Sequence, residues 1–297
     1  MNVVPIIVLD GIVFASRLFI VSAGITFIFG VLRILNVAHG SVFALGAYMG
    51  ATLTGILFGD LSTWATFPML VAAAVVVALI AGPLIERIFL RRIYGEEEVI
   101  GLLTTFALFL ILEDVIKLGW GIEPYFVDKP FTALGQVSLA GISYAGYPFL
   151  LSAIAIATGI ALWAIMNRTD FGRQVVAVIH DREMSGALGI NVPRIDTLAF
   201  TIGCFLAALG GAFTAPMISV EPGMGIEVIV IAFAVVGIGG LGSIGGAALG
   251  CVMVGIARAA AVHLFPEVEL FVIYLLMILV LIVRPQGFFG GVEVRRI

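Results

Sequence analysis

Residues able to do chemistry are few in this 297-residue chain, and they fall into three groups. Arg17 lies inside the apolar run LDGIVFASRLF, and a charge within a membrane span marks a functional position by default. The open readings for Arg17 are contact with a substrate carboxylate, pairing with an acid on another helix, or snorkelling. Asp10 is an intrahelical neighbour on roughly the same face, two turns away. The second group sits at two glycine-rich places: Asn36 and His39 in NVAHG, and Gly240, Gly242 and Ser243 in GIGGLGSIGG. These groups can hydrogen-bond a polar solute or orphaned backbone, but they contain no nucleophile–base pair. The third group, DREMSGALGI from Asp181, has Met184, Ala187 and Leu188 three and four apart, the period of one helix face, which suits docking on a partner or an interfacial helix lying on lipid.

No Ser–His, paired-Asp or HExxH arrangement lies inside the apolar runs, and no GxxxxGK[ST] phosphate loop occurs anywhere. His180 and His263 lack partners at metal-ligand spacing, and Cys204 and Cys251 sit singly in apolar runs as packing residues. The expectation is a protein that is not an enzyme, with no catalytic residue, no cofactor and no metal. Lys117 follows Asp114 by three residues and Glu113 by four, the spacing of a local salt-bridge cluster.

The elements that position these residues are set by composition. Hydrophobic residues make up 62% of the chain and charged ones 11%, with mean hydropathy +1.21; a soluble domain carries about 25% charged residues. Leu61–Ile85, Pro130–Asn167, Thr197–Val220 and Val228–Ala257 contain no Asp, Glu, Lys or Arg. Each exceeds the roughly 20 helical residues that cross a bilayer core, and a lipid-exposed backbone must bond to itself. The fold class is an all-α polytopic membrane protein with about 8–9 transmembrane helices, read approximately at 5–32, 40–58, 64–89, 99–118, 146–166, 196–217, 227–241, 244–262 and 269–284. Broken helices are expected near 33–40 and 238–246, where glycine and polar residues concentrate at membrane depth. Gly46–Gly50 and Gly246–Gly250 also have the spacing of close helix packing.

The connections sort by charge. Arg33, Arg87, Arg91, Arg92, Arg168, Arg173, Arg182, Arg194, Arg284, Arg295 and Arg296 fall on one side. The other side has Lys117 and Lys129 among the acids Asp60, Glu123, Asp128, Glu221, Glu227, Glu267 and Glu269. Lys and Arg in short loops mark the cytoplasm, so the expected topology is N-terminus outside and C-terminus cytoplasmic. Residues 1–297 read as a single transmembrane domain containing a cytoplasmic loop at 167–194. In that loop Asp181 suits a helix N-cap, Glu183 suits the positive end of the helix dipole, and Gly189 and Asn191 suit C-terminal capping before Pro193.

GVLRILNVAHG (Gly30–Gly40) with LGAY (Leu45–Tyr48), DFGRQVVAVIHDREMSGALGINVPRI (Asp170–Ile195), GIGGLGSIGGAALG and RPQGFFG (Arg284–Gly290) occur in this order. Together they closely resemble the motifs of branched-chain amino-acid ABC transporter permeases, in particular the shorter of the two paired permease subunits. Arg17 departs from the family pattern, which tends to be neutral there. The resemblance implies a bacterial inner-membrane importer for branched-chain or related amino acids. It also implies a second permease subunit, two cytoplasmic ATPase subunits and a periplasmic substrate-binding protein, with no nucleic acid. It makes Asp181, Glu183, Met184, Ala187, Leu188, Gly189 and Asn191 the ATPase-coupling candidates. Arg17, Asn36, His39, Gly240, Gly242 and Ser243 are the translocation-path candidates. The alternative is an ion-coupled secondary transporter or channel, a class that spends mid-membrane acids as relays; here the acids cluster in loops and at span ends.

Overall fold

A computed structural model describes residues 3–57, 62–139 and 142–290; Asp60, Arg295 and Arg296, used in the charge partition, lie outside the described residues. Helix α1 (Val4–Leu32) is followed by non-helical backbone at 33–36 and by α2 (His39–Ala51), which runs on as a π-helical turn, Thr52–Leu57. Then come α3 (Thr66–Ile88), α4 (Glu98–Trp120), the short α5 (Lys129–Ala133) and an antiparallel hairpin, β1 (Gln136–Leu139) with β2 (Ile142–Ala145). The chain continues as α6 (Tyr147–Arg168), α7 (Asp170–His180), α8 (Arg182–Ala187) and α9 (Val192–Thr214). It ends in α10 (Met224–Gly239), α11 (Ile244–Leu264) and α12 (Glu269–Val283). Each of the nine expected spans coincides with a helix, and both expected breaks are present at 33–38 and 240–243.

Among the described residues, seven helical stretches are long and apolar enough to cross a membrane. Helix α1, at 29 residues, is about 44 Å long against a core of about 30 Å, so it tilts or overhangs. Helix α2 has 13 residues and α10 has 16, about 20 and 24 Å. Alone, α10 falls short of a full crossing and α2 approaches one only through its π-helical continuation, so their ends must be satisfied by protein.

Helix α9 is the hub. Of its most apolar stretch 78% is buried, against 11% for α12, whose Ile278, Leu279 and Ile282 face outward as a lipid-exposed helix requires. Around α9 the backbones touch. A Cβ added at Gly46 would stand 2.2 Å from the Ala208 carbonyl oxygen, and one at Gly211 would stand 1.9 Å from that of Phe43. Only glycine fits the α2–α9 seam, which is the small-residue packing expected of Gly46. Gly246 and Gly250 pack in the same way, against Gly239 and Val235.

Three local readings are corrected. The loop 167–194 holds two helices, since α7 precedes α8 with Thr169 as its N-cap. Asn191 does not end α8: its side chain accepts from Arg194 N at 3.1 Å and starts α9, with Pro193 in that helix's first turn. Glu113 does not join the Asp114–Lys117 pair, which stands alone at 3.3 Å.

Candidate functional site

Two ends of the bundle can be told apart by structure. One carries the β1–β2 hairpin, with Tyr144 Oη donating to Asp10 at 3.1 Å and His263 Nε2 lying 2.7 Å from the same carboxylate. Partial burial and then Asp10 raise the Tyr144 hydroxyl above its ordinary value, so it donates. Asp10 is thereby spent on Tyr144 and His263 and is not the partner of Arg17. The other end carries α7 and α8.

Between the ends, the first break brings the chain back into the bundle. His39 opens α2, and its Nε2 lies 3.1 Å from the Val21 carbonyl oxygen, about 26 Å along α1 from Val4. Irregular backbone at this depth needs internal partners. Thr105 of α4 supplies them: its hydroxyl lies 2.9 Å from Leu35 O and accepts from Val37 N at 3.3 Å. Ser41 Oγ donates to Phe109 O at 3.0 Å. Asn36 is buried, and among the described residues neither its side-chain oxygen nor nitrogen has a partner, nor does His39 Nδ1.

The start of α10 meets the start of α2 at paired glycines: a Cβ on Gly40 would lie 2.5 Å from Gly225 O. Glu113 closes the junction from α4 by accepting from Gly223 N, the α10 cap residue, at 3.0 Å. A carboxylate suits the positive end of a helix dipole, and this is the position Glu113 occupies.

A cavity of about 670 Å³ opens at the hairpin end beside α1, α10 and α11. Adjoining it, a neck of about 30 Å³ reaches Val21, Phe43 and Ile231. Phe14, Arg17, Glu227, Val228 and Arg258 line both spaces. The Phe14 ring centroid lies 5.0 Å from the Arg17 guanidinium and 4.1 Å from that of Arg258, and Arg258 is ion-paired to Glu269. Beyond the neck, α1 is buried without interruption from Ile20 to Ile28. A second pocket, about 310 Å³, then opens at the opposite end beside Phe29–Leu35, Tyr94 and Arg182. Helix α1 therefore lines both spaces, with a sealed stretch between them.

Gly240, Gly242 and Ser243 lie at the α8 end, apart from Arg17 and His39. Gly240 (φ +100°) packs on the Phe289–Gly290 backbone, Gly242 (φ +85°) faces Gly30, and Ser243 caps α11 by accepting from Gly246 N at 3.1 Å.

Helix α8 is held from below and bare outside. Asp181 caps it, with Oδ1 accepting from Met184 N at 2.9 Å, and Gly189 turns the chain at φ +89°. Met184, Ala187, Leu188 and Glu183 are exposed, Leu188 at 77%. Arg182 reaches the buried Asp196 of α9 at 2.5 Å and stands 5.9 Å from the Tyr94 ring. Beside it the buried Glu86 of α3 accepts from Arg91 at 3.0 and 3.2 Å and from Tyr94 Oη at 3.3 Å, and lies 2.7 Å from Thr197 Oγ1. Burial first, then the Glu86 and Asp196 carboxylates, push the Tyr94 hydroxyl well above its ordinary value, so it remains a donor. These acids are neutralised in place and are not free relays. Sequence reading missed Arg258, which follows directly on an uncharged run, and the Glu86–Arg91–Thr197 network, whose members are separated by 106 and 111 positions. Among the described residues no cluster of three or more potential metal ligands occurs.

Residues 7–281 match the family described as branched-chain amino acid transport system / permease component. The chain is 29% identical to the high-affinity branched-chain amino acid transport system permease protein LivH of Salmonella typhimurium, covering 97% of this chain and 96% of that one. It is also 29% identical, over the same shares, to BraD of Pseudomonas aeruginosa, which carries the same description. In fold it resembles PsaBC from Streptococcus pneumoniae in complex with Fab, at TM-score 0.52 and 12% identity, covering 94% of this chain and 92% of that one.

Proposed function

The chain belongs to the branched-chain amino acid transport system permease family, and on that premise we propose how it works as the membrane-spanning subunit of an ABC importer. It forms the path for branched-chain or related amino acids, and separate ATPase subunits drive it. A second permease chain and a periplasmic binding protein complete the assembly. The N-terminus and hairpin end face outward, and the C-terminus and α7–α8 face the cytoplasm; the arginine-rich loops favour this orientation.

One observation carries the reading: α8 exposes an apolar stripe to solvent while its own arginine is bonded to a buried acid of the central helix. A bare face with anchors at i, i+3 and i+4 fits a groove on a partner. A partner that closes on ATP would pull α8, and through Arg182–Asp196 it would pull α9. The path candidates divide accordingly. Arg17 faces the outer cavity, Asn36 and His39 the sealed middle, and Gly240, Gly242 and Ser243 the inner end.

The test is Ala187→Trp together with Leu188→Pro, read by co-purification of the ATPase subunit and by amino-acid uptake in reconstituted vesicles. Both variants should lose ATPase binding and uptake while the membrane chain stays monodisperse. Bound ATPase with normal uptake in both would remove α8 from the coupling role.

A further inference from the structure

The charges at the cavity neck are complementary and only half used. Arg258 is committed to Glu269. Arg17 and Glu227 face the same neck, yet neither has an ion pair or hydrogen bond among the described residues. Their nitrogens and oxygens therefore stand more than 4.0 Å apart, with open space beside them. Phe14 and Val228 complete the wall with apolar surface. Arg17, Arg258, Glu227 and Glu269 sum to zero charge, so the neck favours a ligand of zero net charge whose two ends are oppositely charged.

We infer that this neck is a transit site that reads both ends of a zwitterionic amino acid. Arg17 takes the carboxylate in the bidentate manner open to a guanidinium, Glu227 takes the ammonium, and Phe14 with Val228 receives an apolar side chain. The inference rests on the permease reading and gives that path a selectivity element of its own. Because Glu227 is exposed and the cavity is open, that carboxylate remains partly hydrated. Binding is then weak enough to release, as a conducting site requires.

Both native cysteines are buried, so Val13→Cys, on the cavity wall, supplies the accessible thiol for a protection assay on the full chain in lipid nanodiscs. Millimolar leucine should slow labelling by a charged thiol reagent. Leucinamide, which lacks the carboxylate, and 4-methylpentanoate, which lacks the ammonium, should protect far less. Arg17→Gln and Glu227→Gln should each raise the half-protecting leucine concentration about tenfold or more, the share of one charge-assisted hydrogen bond. Size-exclusion profiles must match that of the parent. Equal protection by all three probes, or none by leucine, overturns the inference. So does unchanged protection in Arg17→Gln accompanied by loss of the second permease chain, which makes the arginine an interface residue. Uptake by the assembled importer is measured in parallel. Uptake without protection refutes the transit site and leaves the permease reading standing, whereas absent uptake in the parent chain refutes the permease reading itself.

Discussion

Removing the two partners of the Arg182–Asp196 bond should have unequal consequences, because their exposures differ. The Asp196 side chain is 3% exposed and the Arg182 side chain 42%. Arg182→Ala strands a buried carboxylate whose other oxygen, Oδ1, has no partner among the described residues. Breaking a fully buried pair in this way costs about 3–5 kcal/mol. Since the arginine is partly hydrated, the figure here is discounted to about 2 kcal/mol. Asp196→Asn leaves instead a cation that water can reach, at about 0.5 kcal/mol. At roughly 2 °C per kcal/mol for a chain of this size, Arg182→Ala lowers Tm by about 4 °C and Asp196→Asn by about 1 °C. The double variant should recover most of the arginine's loss, because no buried charge is then stranded. Cys204 and Cys251 are free and buried, so a thiol-reactive fluorophore that lights up on unfolding reads these values directly. Equal losses from the two single variants, adding in the double, would falsify the claim that the buried carboxylate sets the energy of this link.

If the N-terminus is outside, as proposed, membrane-impermeant labelling of intact cells should reach Asp128→Cys and miss Glu97→Cys and Arg173→Cys; efficient labelling of the last inverts the topology. Gly46→Leu, driving side-chain atoms into the Ala208 backbone at 2.2 Å, should cost about 3 kcal/mol or more and abolish assembly. Gly242→Leu has only Gly30 within 3.5 Å. It should assemble with about 1–2 kcal/mol of left-handed strain but lose uptake as it presses on Gly30 in the wall of the inner pocket, and normal uptake removes the position from the proposed path. The Tyr94 hydroxyl is raised from 10.0 on folding, so its stabilisation is fully present below about pH 10 and is lost as pH climbs toward the folded value. Tyr94→Phe should flatten that alkaline limb of the Tm–pH profile, and an unchanged limb contradicts the assignment.

The spans were legible in the sequence because lipid demands apolar residues in lengths that nothing else requires, and the two breaks were legible because glycine clusters interrupt those lengths. What stayed hidden depends on neighbours distant in the chain. Glu113 sits at helix spacing from Lys117, yet its partner is an amide 110 positions away, and no local pattern announces a carboxylate capping a helix on another segment. Asn191 and Gly189 both favour helix ends, but only geometry separates the end of α8 from the start of α9. Arg17 stood out as a charge inside a span, whereas Arg258 and Glu227 gained meaning only when α10 and α11 brought them to the same neck. The α8 stripe was legible because its apolar residues recur at the helical period itself.

The seam where α2 meets α9 at Gly46 and Gly211 has a mechanical consequence. Contacts made by side chains can be exchanged, since a rotamer flips and a neighbour fills the space. Backbone resting on backbone has no such alternative arrangement, so the two helices have no second register to slide into and must move as one plate. Any rocking between open states is therefore borne outside this seam, where α1 faces α10 across the cavity and side chains have room to turn. A cross-link locking α2 to α9 should leave transport running, whereas one locking α1 to α10 should stop it.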